Sequence, residues 1–353
     1  MPRIRLNPES VRAEIADLQS KMSRAGRSLS DAKEAALGSC KRSAVYKIDG
    51  ATLYHYQPRK AVQNSVPVLI VYATVNRPDM VDLQHDRSLI RSLLDRSLDI
   101  YLIDWGTPNG SDRALCLSDY ISRYIDACVD YTREQNELAA INLLGICQGG
   151  TFSACYSALN RNKVSNLITM VTPIDFHTPD DMLSHLFRHV DADLLADSHG
   201  NISGDLLNSM FLSLKPFRLS QQKYLHMLDD AHDVETMKMF LRMEKWIFDS
   251  PALASEAFRE FARDFYQQNK LIKGEITIGG RRVDLQQLDM PVLNIYARDD
   301  HLVPSPASLA LGECVGTQDY QALEFPGGHI GLYVSSRAHA ILPDAIRDWL
   351  RER

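Results

Sequence analysis

Three side chains in this 353-residue chain have the types and the order needed to act together on an acyl group. Cys147 sits in Gly145-Ile146-Cys147-Gln148-Gly149, directly after the apolar run Ala140 to Leu144. A cysteine attacks as its thiolate, so a thiol with a free pKa of about 8.5 needs that value lowered or its proton removed during reaction. His329, just past the turn Phe325-Pro326-Gly327-Gly328, is the expected base. An acid from Ala297-Arg298-Asp299-Asp300 would orient the imidazole; spacing alone does not separate Asp299 from Asp300, and the adjoining His301 is placed to help position either. A tetrahedral intermediate also needs two backbone N–H groups for its oxyanion. Gln148 supplies one, and the loop after the apolar run beginning at Val66 offers Val75 or Asn76, with Val75 the first choice. Together these residues point to covalent transfer of an acyl group through a thioester.

Such chemistry requires a sharp turn between a strand and a helix. The turn residue has a strained backbone, and small neighbours let strand and helix pass closely, which is the purpose of Gly145 and Gly149. The runs Val66–Ala73 and Asp99–Trp105 are continuously apolar, as expected of central parallel strands covered on both faces. Further strands are expected at 140–146, 164–171, 291–297 and 320–325, and helices at 83–97, 118–137, 149–160 and 337–351. The order nucleophile, acid, histidine on this pattern predicts an α/β-hydrolase fold with a central, mostly parallel sheet.

Between Phe176 and about Lys273 the strand signal fades. Helical segments are expected at 181–189, 204–214 and 219–248, with Met210, Phe211, Met239, Phe240, Met243, Trp246 and Phe248 among them. Singly these residues suit ordinary core packing; collectively they suit an apolar cap over the site. The expected division is an N-terminal helical segment (1–40), a core (41–175 and 276–353) and a helical cap (176–275). In the first segment Asn7 suits an N-cap and Pro8 a first helical position. Val11, Ile15, Leu18, Met22, Ala25 and Leu29 then form one apolar seam, which either packs on the main domain or binds a partner.

The net charge of −6 argues against nucleic acid as a main partner, though it leaves room for a local basic pocket for an anionic carrier. The six cysteines are scattered with no Cys-x-x-Cys pair, so neither a zinc cage nor a disulfide framework is expected, and Cys128 reads as structural. The first residues lack the apolar block of a secretory signal. The longest apolar stretch, Val66 to Val75, is half of the ~20 residues a bilayer span needs. No membrane span and a cytoplasmic location are expected.

The chain resembles the catalytic subunit of the class III poly(3-hydroxyalkanoate) synthases along nearly its whole length. The likeness is carried by Val75-Asn76-Arg77-Pro78, Asp82-Leu83-Gln84, Leu102-Ile103-Asp104-Trp105-Gly106, the box Gly145-Ile146-Cys147-Gln148-Gly149-Gly150, Lys245-Trp246-Ile247-Phe248-Asp249-Ser250-Pro251, Asn269-Lys270-Leu271, Asp300-His301-Leu302-Val303-Pro304 and Gly327-Gly328-His329-Ile330-Gly331. The Gly-x-Cys-x-Gly-Gly box is far more specific than a general lipase elbow. In that family the acid immediately precedes the histidine of Asp-His-x-Val-Pro, which selects Asp300. The chain diverges more around Asp191 to Asn201.

The resemblance implies polymerisation of (R)-3-hydroxyacyl-CoA, foremost 3-hydroxybutyryl-CoA, with release of CoA, an acyl-cysteine intermediate and no cofactor. It also implies an E-type accessory subunit, a homo- or hetero-oligomer, and a growing polyester that holds the protein at a granule surface. Gln148 after the nucleophile looks more like class III than class IV. Two rival readings share the sequence: a cysteine-dependent esterase or acyl-CoA thioesterase, and a noncatalytic granule-surface protein that adheres through its apolar cap.

Overall fold

The computed structural model describes residues 38–61, 66–215, 227 and 233–353. The seam expected at 7–37 lies outside the described residues. Eight strands form one sheet: β1 (Arg42–Ile48), β2 (Ala51–Tyr56), β3 (Val68–Val71), β4 (Ile100–Asp104), β5 (Ile141–Ile146), β6 (Val164–Met170), β7 (Val292–Ala297) and β8 (Tyr320–Phe325). Their spatial order is β1-β2-β4-β3-β5-β6-β7-β8. The first two strands run antiparallel, and every neighbouring pair from β4 to β8 is parallel. Strands β3 and β5 are buried at every position, as continuous apolar runs demand when helices cover both faces.

The helices that cover the sheet include α1 (Leu89–Leu94), α2 (Asp126–Gln135) and α3 (Gln148–Leu159). Those of the inserted segment are α4 (Met182–Phe187), α5 (Ala192–His199), α6 (Gly204–Leu214), α7 (Val234–Phe248) and α8 (Ser255–Glu260), and α9 (Ser336–Arg351) lies at the C-terminal end. Two cores result, one per sheet face. Phe152, Tyr156, Ile121 and Ile125 lie in the first, while Leu89, Leu93, Leu342, Ile346 and Trp349 lie in the second. Each such buried apolar side chain contributes about 1.5–3 kcal/mol relative to exposure.

Three local departures from the sequence reading have physical causes. The helix expected from Leu83 begins only at Leu89, because Asp82–Gln84 pairs antiparallel with Arg87–Ser88. Ser88 then caps the helix by accepting from the Arg91 N–H at 2.9 Å. The helix expected at 118–137 opens as a wide π-turn over Asp119–Ile125 before continuing as α2. Strand β1 was missed, since its burial pattern is that of an exposed edge with no clean alternation. Of the helix expected at 219–248, α7 is its described part, and residues 216–226 and 228–232 lie outside the described residues.

The inserted segment leaves and rejoins the sheet region at one place. Asn269 donates to Asp175 Oδ1 at 2.7 Å and accepts from the Phe176 N–H at 3.0 Å. Leu183, Phe187, Ile202, Leu207, Leu253 and Phe258 form its own apolar cluster. Phe176, Phe261 and Phe265 pack instead into the main core, with Phe261 and Phe265 stacked at 4.6 Å. Among the described residues, no helix is long and apolar enough to cross a membrane.

Candidate active site

The parallel strands end in register, and that common edge gathers the chemistry. Gly145 in β5 is paired with Val71 in β3, Ile146 with Met170 in β6, and Ala297 in β7 with Phe325 in β8. Cys147 follows β5, Asp300 follows β7 and His329 follows β8, so all three emerge at the carboxyl ends of parallel strands, where open α/β sheets place their ligands.

Cys147 has φ 55° and ψ −126°, a backbone conformation rare for a residue with a side chain. Its N–H donates to the Met170 carbonyl at 2.9 Å, and its carbonyl accepts from the Gly150 N–H at 2.9 Å, which pins the turn from both sides. The glycines are there for space. A Cβ on Gly145 would lie 2.4 Å from Gly150 Cα, and one on Gly149 would lie 2.2 Å from the Val71 carbonyl oxygen. Helix α3 starts immediately after, so its unsatisfied N–H groups and positive end face the sulfur.

Asp300, not Asp299, meets the histidine. His329 Nδ1 and Asp300 Oδ2 are 2.7 Å apart, and both side chains are almost wholly buried. Asp300 Oδ1 accepts from the N–H groups of Leu302 and Val303 at 2.8 and 3.0 Å, so the carboxylate is fully oriented. Asp299 is exposed beside Arg298. Burial alone pulls the His329 pKa down, but the Asp300 charge, the Cys147 sulfur and hydrogen bonds to both drive it up to about 10. With Nδ1 committed to Asp300, Nε2 is left for Cys147. Burial meanwhile pushes the thiols of Cys128 and Cys155 up to about 12, so neither forms a thiolate near neutral pH.

Val75 and Gln148 both line the cavity at the sulfur, as does His301. Among the described residues, no backbone acceptor takes the Val75 or the Gln148 N–H. The Gln148 side chain is not free: its Oε1 accepts from the Thr74 N–H at 3.1 Å and the Thr74 hydroxyl at 2.7 Å, tying the loop after β3 to the elbow. Two further neighbours escaped the sequence reading. Tyr72 and Tyr333 are hydrogen-bonded to each other beside Cys147, and burial raises both phenols far out of the physiological range. Only the fold brings them together, so no local string announces the pair.

The site opens into a cavity of about 240 Å³. Its wall is mostly apolar, with Phe152, Phe187, Phe211, Trp246, Phe258 and Tyr266 from both the core and the inserted segment. No Lys or Arg is among the described lining residues. The described residues hold no group of His, Cys, Asp and Glu side chains arranged to bind a metal.

Sheet, elbow and triad-like edge define an α/β-hydrolase-fold protein, and a family model described as alpha/beta hydrolase fold matches residues 62–335. A soluble variant of monoglyceride lipase from Saccharomyces cerevisiae superposes with a TM-score of 0.55 at 14% identity, covering 90% of this chain and 96% of that one, a likeness of fold alone. Sequence similarity goes further. The poly(3-hydroxyalkanoate) polymerase subunit PhaC of Allochromatium vinosum is 52% identical over 352 residues, 99% of each chain. Its namesake from a Synechocystis species is 52% identical over 324 residues, 90% of this chain and 86% of the relative. The chain belongs to this family of poly(3-hydroxyalkanoate) polymerase PhaC subunits.

Proposed function

We propose that this chain is the catalytic subunit of a poly(3-hydroxyalkanoate) synthase, joining (R)-3-hydroxyacyl groups from their CoA thioesters through an acyl-Cys147 intermediate. The observation that carries the reading is a cysteine, on a strained elbow, sharing a mostly apolar cavity with an imidazole already bonded to a buried carboxylate.

In the first half-reaction His329 Nε2 carries the proton that Cys147 gives up, and the sulfur attacks the thioester carbonyl as a thiolate. The N–H groups of Val75 and Gln148 stabilise the oxyanion. The carbon–sulfur bond to CoA then breaks, and the imidazolium returns its proton to the departing thiolate. In the second half-reaction a 3-hydroxyl from another acyl unit loses its proton to His329 and attacks the acyl-cysteine. An oxoester forms as the Cys147 thiol is regenerated. Asp300 fixes the imidazole tautomer and stabilises its cation. Thioester exchange is nearly balanced, and oxoester formation drives elongation.

Water competes with the hydroxyl, and the apolar cavity disfavours it. The mostly apolar wall suits the acyl end of the substrate and leaves the CoA phosphates outside. The segment 176–275 serves as the cap. The seam at 7–37 is one docking element for an E-type accessory subunit, and the emerging polyester keeps the assembly at a granule surface without a membrane span.

Mass spectrometry after brief exposure to 3-hydroxybutyryl-CoA, with and without the accessory subunit, tests the reading. The expected adduct is one hydroxybutyryl group, or a short oligomer of it, on the peptide carrying Cys147. Equimolar CoA and free hydroxyacid without polymer would identify a thioesterase instead. Turnover that survives Cys147→Ala would remove the catalytic assignment. No turnover in folded wild type with its accessory subunit would favour an adhesive granule protein.

A further inference from the structure

The loop that bears Val75 is held by the inserted segment through a polar relay unlike the apolar packing around it. Asn76 has φ 62°, a left-handed conformation that needs support in any residue other than glycine. Its side-chain oxygen accepts from the Ser250 hydroxyl, immediately beyond the C-terminal cap of α7. Ser250 Oγ in turn accepts from Asn208 Nδ2, on α6, at 3.2 Å. The second Asn208 N–H donates to the Ile247 carbonyl at 2.5 Å, so each proton of that amide has a partner. One residue further along the loop, the Arg77 carbonyl accepts from Trp246 Nε1 of α7 at 2.7 Å, and Arg77 pairs with Asp249 at 3.3 Å. Gly204, at the start of α6, is pressed against Ser250; a Cβ there would lie 2.2 Å from the Ser250 carbonyl oxygen. No other residue fits between them.

We infer that the Asn208–Ser250–Asn76 relay positions the oxyanion-binding loop, so that the Val75 N–H is correctly aimed only while α6 and the end of α7 are seated. Ser250 and Asn208 are positioning residues. The inference rests on the acyl-Cys147 reading and deepens it. The relay acts on charge development rather than on substrate capture, for two reasons. Ser250 does not itself line the cavity; of the lining residues it touches, Asn76, Asn208 and Ile247, only Asn76 belongs to the oxyanion-binding loop. Before Val75 the loop is held by the two Thr74 bonds to Gln148, so the relay supplies the hold on the residue that follows Val75. An oxyanion donor removed outright costs about 10²–10³ in rate, and one merely misaimed should cost less, about tenfold.

The test compares wild type with Ser250→Ala in the full chain with its accessory subunit, using 3-hydroxybutyryl-CoA. Expected are a fall of about tenfold in kcat with KM changed less than twofold, and the same fall in the pre-steady-state rate of Cys147 acylation. A 3-hydroxybutyraldehyde probe, whose thiohemiacetal oxygen would occupy the oxyanion position, should bind about tenfold more weakly. Ser209→Ala, on the exposed side of α6, should match wild type in all three. Should Ser250→Ala fail to fold, Ser250→Cys keeps a side chain of similar shape with a much weaker donor, and carries the same expectation. Unchanged acylation and aldehyde affinity in the variant overturn the relay, as does an effect confined to KM. Absence of any Cys147 adduct in wild type would instead refute the underlying mechanism, so the two failures are separate.

Discussion

At the scale of single residues the site is decided by who shares a proton with whom. His329 is buried, which by itself would favour the neutral ring, yet Asp300 and the Cys147 sulfur hold its folded pKa near 10. Its ordinary value is about 6.5, so the protonated ring is favoured through neutral pH and is lost only as pH rises through about 10. In histidine-labelled protein, the His329 ring resonances should therefore titrate close to pH 10. Asp300→Asn removes the largest raising influence and should move that titration downward by more than one unit while cutting turnover at least a hundredfold. A titration left in place by Asp300→Asn would contradict the assigned cause. The choice between Asp299 and Asp300 belongs to this scale too. Two adjacent carboxylates in one turn are indistinguishable by spacing; they separate only when the backbone sends one inward to the Leu302 and Val303 N–H groups and the other out to solvent.

Elements explain why the site was legible before the fold was known. A strand, a glycine-flanked cysteine and a helix are contiguous in sequence, so Gly145 to Gly149 carries its own geometry. Gly149→Ala would drive a methyl into the Val71 and Tyr72 backbone, which cannot swing aside as a side chain can. The expected cost is about 1–3 kcal/mol in denaturant unfolding, with turnover reduced further because the displaced strand end leads into the Val75 loop. Wild-type stability and activity in that variant would contradict the close approach. What local reading could not reach are contacts made across long stretches of chain. Asn76 and Ser250 are far apart in sequence, as are Tyr72 and Tyr333, and each carries no signal until the helices are packed. Strand β1 was invisible for a different reason: an exposed edge does not need the apolar alternation by which strands are recognised.

Helix α9 carries a second titrating group of the opposite sign. Burial, then the nearby Arg87 and Arg96, outweigh Asp86 and push His339 down to about 4. Its Nδ1 meets Ser92 Oγ at 3.3 Å, while Nε2 has no partner among the described residues. The unfolded chain, with a pKa of about 6.5, binds more protons between those two values. Stability from this group is thus complete above pH 6.5 and is lost as pH falls toward 4. After discounting for partial exposure, about 1–2 kcal/mol is at stake. His339→Gln should flatten the unfolding free energy over pH 4 to 6.5 by that amount, and an unaltered pH dependence would rule the group out.

Across the whole molecule the insertion is both wall and fastening. Phe211 faces the cavity from α6 together with Phe187 and Phe258, and water is the competitor such a wall excludes. Phe211→Ser should raise the ratio of free hydroxyacid to polyester several-fold without abolishing CoA release; an unchanged ratio would show that dryness is maintained elsewhere. Composition and apolar runs were enough to foresee a helical block here. They were not enough to divide it, because Phe261 and Phe265 serve the main core while Leu183 and Leu207 serve their own cluster, and all four look alike in sequence.

The cavity has a fixed capacity, whereas a polyester has no natural end. On the acyl-cysteine route, every linkage completed at the sulfur pushes older material past the rim. The nascent strand therefore trails from the protein while its youngest unit is still attached inside. Catalyst and product are joined anew at each loading of the sulfur, and the number of strands under construction is set by the number of loaded sulfurs rather than by the supply of monomer.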